Sequence, residues 1–141
     1  MPEMNDFNQA IIEEFRANHG KVGGGFEGAP LILLTTTGAR TGEHRLNPLV
    51  AQPKDHDTIY VFGSAGGGPR HPDWYYNLMA HPQVEVEFGD DKFTATATVL
   101  SGPKRDEIYA HQVEVFPAFG DYEKNTTRVI PVVTLTRYEA E

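Results

Sequence analysis

The 141-residue sequence contains no cysteine, which excludes disulfides, iron–sulfur clusters and thiolate zinc sites. Positive charge is also scarce: 12 Lys and Arg stand against 20 Asp and Glu, a formal net charge of -8. That acidic balance argues against a nucleic-acid binder. No apolar run approaches the roughly 20 residues that a bilayer-crossing helix needs. Met1-Pro2-Glu3-Met4-Asn5-Asp6 lacks the basic and apolar regions of a secretory signal, so a cytoplasmic location is expected. Internal repeats, low-complexity tracts and linkers are missing as well. One domain over residues 1–141, large enough for its own core, is the expectation. The six histidines form no helical i, i+4 pair, and no metal is expected. Neither a P-loop nor a Rossmann glycine pattern occurs, and Ser64 lacks the Gly-x-Ser-x-Gly elbow of an α/β-hydrolase.

What is present reads first as an amphipathic helix over about residues 5–19. Phe7, Ile11, Ile12 and Phe15 recur on one side, Asn8, Gln9, Glu13, Glu14 and Arg16 on the other, and Gly20 is the stop. Its acidic face favours docking on its own body over an anionic membrane, with weak membrane association left open. Strands follow over Leu31–Thr37, His44–Gln52 and Thr58–Gly63. Val84, Val86 and Phe88 then alternate with Glu85 and Glu87, and after the Gly89-Asp90-Asp91 turn Phe93, Ala95, Ala97 and Val99 alternate with threonines. A helix is expected from Lys104 to Val115 and a last strand over Arg128–Thr136. The fold class is therefore mainly β with helices (α+β). About six antiparallel strands should form a split or closed barrel, since closure removes exposed edges.

The densest chemistry lies in residues 63–78. A strand enters Gly63-Ser64-Ala65-Gly66-Gly67-Gly68-Pro69-Arg70, and a helix opens at His71-Pro72-Asp73-Trp74, with Pro72 expected at its first position. Glycines let backbone approach a ligand, and the free N–H groups of such a loop favour anions. Arg40 and Arg45 flank the preceding turn, and Arg70 stands at the loop. If turn and loop are neighbours, three guanidiniums converge on one mouth suited to phosphate or carboxylate.

Several segments now act together as a signature. They are Leu34-Thr35-Thr36-Thr37-Gly38-Ala39-Arg40-Thr41-Gly42, Arg45-Leu46-Asn47-Pro48-Leu49-Val50, Gly66 to Leu78, and Phe116-Pro117-Ala118-Phe119-Gly120-Asp121-Tyr122 leading to Thr127-Arg128-Val129-Ile130-Pro131-Val132. In this order the chain, from Ile11 to Thr136, closely resembles the deazaflavin-dependent nitroreductase family, split-barrel reductases of actinobacteria that use coenzyme F420. The resemblance implies a flat deazaflavin with an anionic tail. Arg40, Thr41 and Arg45 would hold the phosphate and tail, and Asn47, Pro48 and Leu49 would line the ring. Ser64, Ala65, Gly66 and Gly67 would contact the cofactor, and Trp74 and Asn77 would wall the pocket. Ala65 stands where the family often has lysine, and Arg70 is expected to compensate.

The implied activity is hydride transfer from F420H2 to a planar, electron-poor acceptor, with Ser64, Tyr122 or water as proton donor. Val50, Phe116, Phe119 and Tyr122 match the substrate side. Tyrosine is the family residue at the first three of these positions, so a more apolar pocket is expected. It favours a quinone or coumarin-like lactone over a nitroaromatic. Core packing is the other reading of Phe116 and Phe119. Two further functions stay open: an FMN-dependent split-barrel oxidoreductase, and a non-catalytic barrel binding deazaflavin or an apolar ligand. Monomer and homodimer are both compatible with the sequence.

Overall fold

In the computed structural model, which describes residues 6–23, 30–64 and 67–138, six strands close into an antiparallel barrel. They are β1 (Leu31–Thr37), β2 (His44–Pro53), β3 (Thr58–Phe62), β4 (Gln83–Phe88), β5 (Asp91–Leu100) and β6 (Val132–Arg137), ordered β1-β2-β3-β6-β5-β4 around the wall. Four helices accompany them: α1 (Asp6–Ala17), α2 (Asp73–Ala80), α3 (Gly102–Val115) and α4 (Ala118–Lys124). None of the described helices is long and apolar enough to cross a membrane.

Alternation along each strand sorts side chains between the inside and outside of the barrel. Ile32, Leu34, Ala51, Ile59, Val61, Val84, Val86, Ala95, Val133 and Leu135 fill the interior, and Trp74 and Leu78 of α2 join them as a plug. On the outside, Leu31 and Leu33 pack under Ile11, Ile12 and Phe15 of α1, which is further tied down by Arg16 Nη2 to Glu87 at 2.8 Å. Tyr60, Phe62 and Val132 pack under Ile108 and Tyr109 of α3 and Phe119 of α4. Each fully buried aliphatic side chain contributes roughly 1.5–3 kcal/mol of transfer free energy. The amphipathic helix thus docks on its own barrel.

The seams of the barrel are unequal. β1 and β2 pair over seven positions, from Leu31↔Val50 to Thr37↔His44. β1 meets β4 only at Leu33–Thr35, and β2 meets β3 only at Ala51–Pro53. The other seams run for five or six pairs.

Three local expectations need correction. Pro72 is the N-cap of α2, with extended backbone (φ -67, ψ 155), and Asp73 is the first helical residue. β6 begins at Val132 instead of Arg128, because Arg105 of α3 takes the Ile130 carbonyl by two hydrogen bonds and Pro131 has no N–H to give a ladder. Residues 118–124, with no element assigned from sequence, form α4. The Gly20 stop and the Gly89 turn appear as expected, both at positive φ (94° and 60°), with Gly20 N donating to Phe15 O.

Candidate active site

The β1–β2 turn is closed by its own backbone and fastened from outside. Gly38 N donates to Glu43 O at 2.7 Å, and Gly42 N donates to Gly38 O at 2.9 Å. Asn77 of α2 accepts from Ala39 N at 3.0 Å and donates to Thr36 Oγ1 at 3.1 Å. Both ends of its amide are therefore spent on holding the turn against the barrel plug. Arg40 and Thr41 are exposed on this turn. The Thr41 hydroxyl accepts from Glu43 N at 3.1 Å, and Arg45, half-buried, pairs with Glu43 at 3.0 Å.

β2 is unusual for a barrel strand: from Arg45 to Val50 every residue is half-buried, with no alternation in exposure. Register still divides the faces. Arg45, Asn47 and Leu49 lie opposite Thr36, Leu34 and Ile32 on the inner side, and Leu46, Pro48 and Val50 lie opposite Thr35, Leu33 and Leu31 on the outer side. Asn47 and Leu49 thus share one face and Pro48 the other. The outer face forms an open floor: Leu46 and Val50 touch the α1 cluster, and Val50 also touches the aromatic cluster beneath α3 and α4.

That aromatic cluster supplies a wall. Phe119 is buried, its ring edge-on to Phe62 (5.5 Å), Phe116 (6.0 Å) and Tyr122 (5.2 Å). Phe116 and Tyr122, both half-buried, flank it, and Val50, also half-buried, packs against the same cluster. All four residues expected on the substrate side therefore meet in one apolar group, with Phe119 in its packed centre and the other three at its edge. Tyr109 fixes Phe119 by donating its hydroxyl to the Phe119 carbonyl at 2.7 Å. Burial, with the Glu123 charge adding to it, pushes that phenol up to about 12, so it remains a neutral donor.

The glycine loop closes the floor at the end of β3. Ser64 is buried, whereas Ala65 and Gly66 lie outside the described residues. Gly67 sits at φ +83, and a Cβ there would stand 3.1 Å from Tyr122 Cα and 3.2 Å from Tyr122 O. Only glycine lets the loop lie this close to α4. Arg128 holds the loop from behind. Its Nε donates to Gly68 O (3.0 Å), Nη1 to Gly63 O (3.0 Å) and Nη2 to Ser64 O (2.8 Å), and Nη1 also meets His71 Nδ1 at 2.8 Å. Arg70 is exposed at the far side of the loop.

His71 is framed by Arg128 and by the rings of Tyr75 (4.6 Å) and Tyr76 (5.9 Å). Burial, and then the Arg128 charge, lower its pKa from 6.5. A histidine depressed in the native state adds stability above its unfolded pKa, and that stability is lost as pH falls through the native value. Between about pH 7 and pH 5 the thermal transition should therefore fall faster for the unsubstituted protein than for His71→Asn. Parallel curves would show that His71 does not carry this loss.

Asn77 and Trp74 are placed differently from a simple pocket wall: Trp74 is packed in the barrel plug, and the Asn77 amide serves the turn. The residue that sequence reasoning missed is Arg128, quoted only as part of a motif. Its signal was an arginine in an otherwise apolar, strand-like run from Val129 to Val133. Together the apolar floor and wall, the glycine cradle, and the cations Arg40, Arg45 and Arg70 suit a flat ligand with an anionic extension.

Comparison with known proteins agrees with that geometry. The family model described as F420H(2)-dependent quinone reductase matches residues 9–137. An F420H(2)-dependent quinone reductase of Mycobacterium tuberculosis is 37% identical over 129 residues, covering 87% of this chain and 85% of the relative. A solved F420-H2 dependent reductase superimposes with a TM-score of 0.68 at 37% identity, covering 75% of this chain and 93% of that one. Another solved structure, described as a domain-swapped dimer, has the same TM-score and identity and covers 75% and 79% of the two chains.

Proposed function

The chain belongs to the F420H(2)-dependent quinone reductase family, and from that premise we propose that it reduces a planar, electron-poor acceptor, a quinone foremost, lodged against Val50, Phe116, Phe119 and Tyr122. It is an oxidoreductase, with reduced coenzyme F420 as its cofactor. The single observation that carries the acceptor reading is the convergence of those four residues in one aromatic group beside the glycine loop.

The residues present fit the cofactor. Arg40, Thr41 and Arg45, on the β1–β2 turn and the start of β2, offer an acidic protein anion-binding donors for the tail, and Arg70 offers another from the glycine loop. Pro48, on the outer face of β2 with Val50, would border the ring, with Ser64 and Gly67 completing the cradle, while Asn47 and Leu49 stand on the strand's inner face. Trp74 and Asn77 contribute from behind, one by filling the barrel and the other by setting the turn. Ala65 and Gly66, expected to contact the cofactor, lie outside the described residues. When bound, the reduced deazaflavin supplies the hydride. The protein's own work is orientation, since ring and acceptor must stack within reach, and exclusion of water by the aromatic wall. Ser64, Tyr122 or water would pass a proton to the reduced product. Valine and phenylalanine at 50, 116 and 119 leave few donors for a nitro group, so nitroaromatics should be poorer acceptors than quinones or coumarin-like lactones. The domain-swapped relative supports a homodimer over a monomer.

Fluorescence titration with F420, with FMN in parallel, tests the reading. Saturable binding of F420 alone supports it, and binding of FMN alone overturns it. Arg45→Ala should raise the Kd for F420 about ten- to a hundredfold, because an anionic group loses a charge-assisted partner. An unchanged Kd would remove Arg45 from the site.

A further inference from the structure

We propose that Arg128 is the positioning residue of the glycine loop, turning the Gly63, Ser64 and Gly68 carbonyls to itself and away from the flat ligand. The inference rests on the cofactor reading above and assigns a role to a residue that never needs to touch the cofactor.

The geometry is specific to a guanidinium. One planar fork reaches the carbonyls of Gly63, Ser64 and Gly68 at 2.8–3.0 Å and adds the ring nitrogen of His71. Lysine offers a point charge with three donors and cannot span that set. In a trans peptide the carbonyl and the next N–H point in opposite directions. With the Gly63 carbonyl turned toward Arg128, the Ser64 N–H is turned away from it. The guanidinium thus gathers three of the loop's acceptors, which would repel an electron-rich or anionic ligand, and leaves the Ser64 N–H for the other side, the Gly68–Pro69 peptide having no N–H to give.

Arg128 is itself held on a short strap. Its own N–H donates to Thr126 Oγ1 at 3.4 Å, and two residues later Arg105 of α3 holds the Ile130 carbonyl at 2.8 and 3.1 Å. Gly63 N donates to the Pro131 carbonyl at 2.9 Å, and Gly67 lies against the Tyr122 backbone. Arg128 therefore ties the loop to the strap, and Gly67 separately seats the loop on the wall. The barrel core is built without it: none of the interior side chains is a partner of Arg128. Its loss should consequently be felt in ligand binding more than in folding.

The test is fluorescence titration with F420 of the unsubstituted protein, Arg128→Ala and Arg128→Lys, with thermal unfolding of each apoprotein. Arg128→Ala should raise the Kd at least about tenfold with a near-normal thermal transition, and millimolar methylguanidinium should restore much of the lost affinity. Arg128→Lys, which keeps the charge without the fork, should also bind F420 at least about tenfold more weakly and decides the matter if the alanine variant does not fold. A Kd within about twofold of the parent in either folded variant would overturn the proposal. So would weak binding that methylguanidinium fails to restore and that accompanies a lowered thermal transition, since Arg128 would then serve the fold alone. Failure of the unsubstituted protein to bind F420 is a different result and would instead remove the cofactor reading.

Discussion

Phe119→Ala should lower stability by about 3–5 kcal/mol, the usual cost of truncating a buried phenylalanine. For a domain of this size that corresponds to a fall on the order of 10–20 °C in the thermal transition. Phe119 is 5% exposed and makes ring contacts with Phe62, Tyr109, Phe116 and Tyr122. Truncation opens a cavity at the centre of four rings, and their edge-on contacts are lost along with the buried area. The same cavity loosens Phe116 and Tyr122, so the KM for a quinone should rise in the fraction that remains folded. Scanning calorimetry checks the first effect. A loss under about 1 kcal/mol would place the ring in an open pocket and not in the packed wall.

The second large effect is expected at Arg105. This arginine is 8% exposed and gives both Nε and Nη2 to the Ile130 carbonyl, while its guanidinium lies 4.7 Å from the Tyr109 ring centroid. Its carboxylate neighbours, Asp106 at 3.1 Å and Glu123 at 3.8 Å, are themselves exposed and add little. Arg105→Ala leaves the Ile130 carbonyl buried without its donor and removes the cation over Tyr109. The expected cost is roughly 2–4 kcal/mol. Urea unfolding should show a lower midpoint at unchanged m-value. A midpoint equal to that of the parent would mean that water replaces the guanidinium at no cost.

β4 and β5 were legible because their sequence alternates with a period of two, a period that also sorts the faces of the other strands. Val84 and Val86 face inward while Glu85 and Glu87 do not, and the same rule separates Ile59 and Val61 from Tyr60 and Phe62. Applied to β2, that rule would also have separated Asn47 and Leu49 from Pro48; the resemblance grouped them by proximity in sequence. α4 was hidden for another reason. Seven residues with a glycine at position 120 are too short to declare a helix, and what holds them is tertiary: the Tyr109 hydroxyl on the Phe119 carbonyl and Gly67 against Tyr122. Residues 128–131 misled because β-branched residues and an adjacent strand read as one run. The Ile130 carbonyl is lost to the ladder through Arg105, a partner far along the chain, and Pro131 has no N–H to add. Arg128 shows the same limit, since its charge is visible in sequence but its reach to residues 63–71 is not.

The unequal seams of the barrel give the molecule an internal mechanics. β1 and β2, zipped together over seven positions, are stitched to the remaining four strands by only three positions on either side. The ribbon they form carries α1 on its back and the arginine turn at its tip, with Asn77 as the latch on that turn. The wall is thus less a ring of six equal staves than a broad curved plate with a hinged shutter. Parting both short seams breaks six pairing positions in all, fewer than the seven that hold β1 to β2.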